Sequence, residues 1–101
     1  MKKTEVEVLK VSSKTNPSKL AGAIVNIVQK NVECEITSIG AGATNQAMKA
    51  VAIANRLLGS SGISLAVKPC FFSLDLSGEV REGQEPKAEV TALKFKVEVS
   101  K

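Results

Sequence analysis

Residues 38–62 read SIGAGATNQAMKAVAIANRLLGSSG, with Gly40 and Gly42 placed two apart immediately before an alanine-rich run. The spacing predicts a strand ending near Ile39, a sterically bare bend, and a helix from about Ala43 to Leu58. Gly59 and the Ser60-Ser61-Gly62 turn close that helix. A strand entering a helix through a short bend is a β-α unit, and the chain upstream contains a matching one. Glu5 to Ser12 (EVEVLKVS) alternates as a strand, with a slip of apolar phase between Val8 and Leu9 that predicts irregularity at one end. A polar stretch, 13–18, then offers several N-caps and a proline, Pro17, suited to a first helical turn.

Leu20, Ala23, Ile24, Ile27 and Val28 recur at helical spacing, so the first helix is expected from about Pro17 to Lys30. Gly22 weakens it by about 1 kcal/mol relative to alanine, and close packing against a sheet is the expected reason. Glu33 to Ile39 is the second strand. Beyond the opening stretch, Ile63, Leu65 and Val67 mark a third. Pro69 interrupts it, and the apolar phase resumes one residue shifted at Phe72, Leu74 and Leu76, which predicts a bulge or an edge position. Ser77 to Pro86 is expected as a polar loop, and Lys87 to Ser100 as a last strand forming a long hairpin with the third. The order is βαβαββ: an α+β two-layer sandwich with two helices packed on one face of a four-stranded sheet, in one domain over 1–101.

Composition narrows the function. The 101 residues carry 44% hydrophobic and 24% charged side chains, those of an ordinary globular chain. No apolar run approaches the roughly 20 residues of a membrane span, and Met1-Lys2-Lys3 is not followed by a signal core. A cytoplasmic protein without a membrane partner is therefore expected. The net charge of +4 favours a polyanionic partner. There is no histidine, tryptophan or tyrosine. Cys34 and Cys70 are isolated in apolar surroundings and read as small core residues. Neither a Cys–His nor a Ser–His pair can be built, so the expectation is a non-enzyme with no metal, cofactor or small-molecule substrate.

On a helical wheel, Ala43, Ala47, Ala50, Val51, Ile53, Ala54, Leu57 and Leu58 fill an arc of roughly 160°, wider than the stripe of about 100° that one sheet face accepts. The surplus predicts a homodimer, with Ile53, Leu57 and Leu58 joined by Phe71 and Phe72 as candidate interface residues. The polar remainder places Asn45, Lys49 and Arg56 on one face. The helix start is positively polarised, and Gly40 and Gly42 would let an anion approach its N–H groups, with Thr44, Asn45 and Lys49 able to hydrogen-bond it. The stretch lacks the Gly-Lys-Ser/Thr of a phosphate-binding loop, and Asn45 occupies the third glycine position of Gly-x-Gly-x-x-Gly. Two readings stand: a contact to one backbone phosphate of a nucleic acid, or a turn that needs small residues and holds no ligand.

These segments resemble the stage V sporulation protein S family. The resemblance runs from VLKVSSKTNPSKLAGAIVNIV through EITSIGAGATNQAMKAVAIANRLL to the final hairpin, with the Ile-Gly-Ala-Gly-Ala segment the most specific part. It implies an Alba-like fold, a dimer, a role in regulating sporulation and septation, and binding of DNA or RNA. The contacts it implies come from the first strand–helix loop (Ser13, Lys14, Asn16, Lys19), the start of the second helix (Gly40, Gly42, Thr44, Asn45, Lys49, with Arg56 further along) and the last hairpin. Two departures stand out. The segment 38–43 has no cation where the Alba segment has several, and Glu79, Glu82 and Glu85 outnumber Arg81 at the hairpin tip. With three aromatics in the chain, base stacking has little to work with.

Overall fold

The computed structural model describes residues 5–74, 80–82 and 92–101, the side chains of 72–74 and 80–82 excepted. In chain order the elements are β1 (Val6–Val11), α1 (Pro17–Gln29), β2 (Glu33–Ile39), α2 (Ala41–Gly59), β3 (Ser64–Leu74), β4 (Val80–Glu82) and β5 (Ala92–Ser100). β1 and β2 are parallel neighbours, β5 lies antiparallel beside β2, and β3 antiparallel beside β5, giving the sheet order β1-β2-β5-β3-β4. The expected βαβαββ sandwich is present, with a short extra strand, β4, inside the stretch read as a loop. Among the described residues it pairs with Phe72–Leu74 of β3.

Both helices cover one face of this sheet. Leu9 and Val11 of β1, Cys34, Ile36 and Ser38 of β2, and Phe95 of β5 turn toward them. From α1 come Leu20, Ala21, Ile24, Ile27 and Val28; from α2, Ala43, Ala47, Ala50, Val51, Ala54 and Leu58. Ile24 and Ile36 are fully enclosed. Burying one such side chain contributes roughly 1.5–3 kcal/mol. Burial, and after it Glu7 and Glu35, push the Cys34 thiol up to about 11, so it stays protonated at neutral pH and serves as core. No described helix is long and apolar enough to cross a membrane.

Several local expectations are revised. β1 is regular: its six residues hold one parallel register with β2. The phase slip arises because Val6 and Val8 lie on the face away from the helices while Leu9 and Val11 face them. Pro69 makes no bulge, since β3 and β5 keep an unbroken register from Ser64↔Ser100 to Phe71↔Leu93, so the edge alternative holds. α2 begins at Ala41, two residues earlier than expected, because Gly40 at φ +92° makes the turn alone. The expected start of the last strand at Lys87 falls outside the described residues.

Gly22 is also corrected. It is exposed, and a Cβ built there meets nothing within 4 Å. The tight contacts of α1 are made by Ala21 instead. Gly22→Ala is therefore expected to stabilise the protein by about 0.5–1 kcal/mol, because alanine loses less backbone entropy in a helix and here has room. A urea titration checks it; a lower midpoint would mean that residue 22 is in close contact after all.

Candidate nucleic-acid interface

Because β1 and β2 are parallel, both helices start at the same end of the sheet. The two starts are built differently. At α1, Asn16 is the N-cap, its Oδ1 accepting from the Ser18 and Lys19 amides at 2.8 and 3.2 Å. At α2 the N-cap is Gly40, which has no side chain, and no side-chain hydrogen bond caps the helix. The first intrahelical bond, from the Thr44 N–H to the Gly40 carbonyl, is 3.1 Å. The amides of Ala41, Gly42 and Ala43 precede it and have no partner of that kind.

The loop after β1 is folded against this helix start. A Cβ on Gly42 would lie 2.9 Å from the Ser13 Cβ, so glycine is needed there for chain-to-chain approach. Four residues on, Gln46 Nε2 donates to the Thr15 carbonyl at 2.7 Å. Gln46, which interrupts the apolar arc of the wheel, is thus a structural tie between loop and helix. Thr15 in turn closes the loop, its Oγ1 accepting from the Ser12 amide at 2.9 Å. Thr44 Oγ1 lies 2.9 Å from the Oγ of buried Ser38, which fastens the first turn of α2 to β2.

The expected site residues therefore divide. Ser13, Lys14, Lys19, Gly40, Gly42, Asn45 and Lys49 gather around the two helix starts, where Gly40 has open space beside it. Thr44 and Asn16 are engaged by the fold itself. Arg56 lies about 16 Å along α2 from Asn45 on the same exposed stripe, with Lys49 and Ala52 between them. The described ion pairs are Lys30–Glu7 at 3.5 Å and Lys94–Glu35 at 3.6 Å, so Lys14, Lys19, Lys49 and Arg56 have no carboxylate partner among the described residues. Lys94, on the outer sheet face, is occupied by Glu35. The side chains of Arg81 and Glu82, with Glu79 and Glu85, lie outside the described residues.

A signal in the sequence points to the same surface. There is no Asp or Glu from residue 8 to 32 or from 36 to 74, a span that covers both helices and the loops that precede them. The helix layer is consequently cationic throughout, while Glu5, Glu7, Glu33 and Glu35 stand at the far end of β1 and β2. An anion reaching the helix starts meets polarised amides and free cations with no nearby carboxylate among the described residues. The same residues hold no cluster of three or more His, Cys, Asp or Glu able to take a metal ion.

The candidate interface between copies is less coherent. Leu58 is only 1% exposed within one chain and belongs to the core, so it is not available to a second copy. Ile53 is half-buried against that core, and Leu57 is 53% exposed. Phe71 is exposed, but toward the end of the sheet where α2 starts, whereas Leu57 lies in the last turn of α2. The side chain of Phe72 is outside the described residues. These residues do not form one patch.

The family model described as Stage V sporulation protein S (SpoVS) matches residues 7–100.

Proposed function

The chain belongs to the stage V sporulation protein S family, a family of small sporulation regulators, and from that premise we propose that it acts in the cytoplasm as a dimeric nucleic-acid-binding regulator. It holds the phosphate backbone of DNA or RNA with little sequence preference. The observation that carries this reading is the acid-free helix layer, with Lys14, Lys19 and Lys49, which have no carboxylate partner among the described residues, around an uncapped helix start and Arg56 further along the same helix. Lys14, Lys19, Lys49 and Arg56 supply charge. The first amides of α2, with Asn45 and the Ser13 hydroxyl, supply directional donors. These groups are taken to contact phosphates rather than base edges.

Four neutralised phosphates give a slope of log K against log[salt] of about −3 to −4 on duplex DNA. Fluorescence anisotropy with labelled duplex and single-stranded probes, repeated at several salt concentrations, measures it. Absence of binding at about 50 mM salt, or binding indifferent to salt, would overturn the reading. A folded chain inert toward every nucleic-acid probe would support the alternative, a regulatory scaffold for protein contacts. That alternative draws on the cation-free segment 38–43 and on the internal engagement of Asn16 and Thr44.

A further inference from the structure

The two edges of the sheet are treated differently. On the β3 side, Asn55 of α2 stands where a neighbouring strand would. Its Oδ1 accepts from the Leu65 amide at 3.0 Å and its Nδ2 donates to the Leu65 carbonyl at 3.4 Å. Leu65 therefore aims both backbone groups away from β5. By the two-residue alternation of a strand, Pro69 aims its missing N–H the same way, where no ladder bond is lost. Further along, β4 pairs with that edge at Phe72–Leu74.

The β1 edge has none of these devices. The Glu33 amide donates to the Glu5 carbonyl at 3.3 Å, which fixes the alternation: odd-numbered residues of β1 bond to β2. Val6, Val8 and Lys10 then direct their N–H and C=O groups outward, with no partner among the described residues. Their side chains lie on the face away from the helices, and Val6 and Val8 are 44% and 48% exposed. A six-residue strand without proline, glycine or bulge is a template for strand addition.

We infer that this edge takes a second copy of the same chain, added antiparallel with Val8 opposite Val8 on a two-fold axis. The argument for that occupant is the charge pattern. Outward-directed residues must pair with outward-directed residues, so Val6 pairs with Lys10 across the axis, and both copies keep their helices on one side of a continuous sheet. Beside Val6 stands Glu33 of β2, exposed and without an ion partner among the described residues. Lys10 is likewise exposed, and without an ion partner among the described residues, at the other end of the strand. Antiparallel addition brings each Lys10 within reach of Glu33 in the other copy, twice by symmetry, around a central contact of valines. Parallel addition would set like charges side by side.

Sedimentation equilibrium on the 101-residue chain and its variants tests this. Val8→Pro removes an outward N–H and leaves the β1–β2 ladder intact, so it should give a monomer with an unchanged circular dichroism spectrum. Lys10→Glu and Glu33→Lys should each weaken self-association about tenfold, and the double reversal should return it to within about threefold of the original. Because that restoration needs only folded variants, it decides the matter even if the proline variant fails to fold. A chain that stays monomeric at every concentration overturns the inference. So does a dimer that ignores both charge reversals, or one that is lost on Leu57→Asp.

Discussion

Leu58→Ala is expected to lower the unfolding free energy by about 3 kcal/mol, and Leu57→Ala by less than about 0.5 kcal/mol. The two leucines are adjacent in the last turns of α2, but Leu58 is enclosed among the core side chains while Leu57 is mostly in solvent. Truncating an enclosed leucine removes the transfer free energy of its methyl groups and leaves a cavity that close-packed neighbours only partly fill, at about 2–5 kcal/mol. Domains of this size are stable by roughly 5–15 kcal/mol, so the loss is a large share of the whole and should lower Tm by about 15 °C. The check is thermal unfolding followed by circular dichroism. Equal effects of the two changes would show that the helix is rotated from the orientation described.

Removing Lys14 and Lys49 together is expected to weaken nucleic-acid binding about a hundredfold at low salt, with no loss of stability. Both side chains are exposed and free of carboxylate partners among the described residues, so neither holds the fold together. A charge-assisted contact to a phosphate contributes about 1.5 kcal/mol, or roughly tenfold for each lysine. The slope of log K against log[salt] should become shallower by about 2. Lys30→Ala is the control. Lys30 caps the opposite end of α1 and is paired with Glu7 at 3.5 Å, so its loss should leave affinity nearly unchanged. Equal losses from Lys30→Ala and from the double change would mean that overall charge, rather than the helix starts, governs binding.

The architecture was legible because hydrophobic period and punctuation agree along most of the chain. Pro17 after a polar stretch, the glycines before α2 and the alternation of β2 each point to one element. What escaped were choices between faces. Leu57 and Leu58 fall in one apolar arc, and only the rotation of α2 in the fold separates them: it turns Ala43, Ala47, Ala50, Ala54 and Leu58 inward and leaves Leu57 outside. The phases of β1 and β3 read as irregular since both faces of those strands carry apolar residues. Pairing of Phe72–Leu74 with a strand of three residues is long-range, and no local pattern announces it.

The site was legible in part for the same reason. Lys14, Lys49 and the glycines could be found as types and spacings, whereas Gln46 and Thr44 act through residues 31 and six positions away in sequence. The absence of acids from 36 to 74 could have been read directly by setting charges against elements. It gives the helix layer its sign more plainly than the net charge does.

The bond from Leu65 to Asn55 makes that one amide a reporter on the whole helix–sheet junction. An outward N–H on a bordering strand ordinarily trades its hydrogen for solvent deuterium quickly. This one is released when the Asn55 side chain swings out or the last turns of α2 lift away, so its rate of deuteration measures how often the contact opens at that corner.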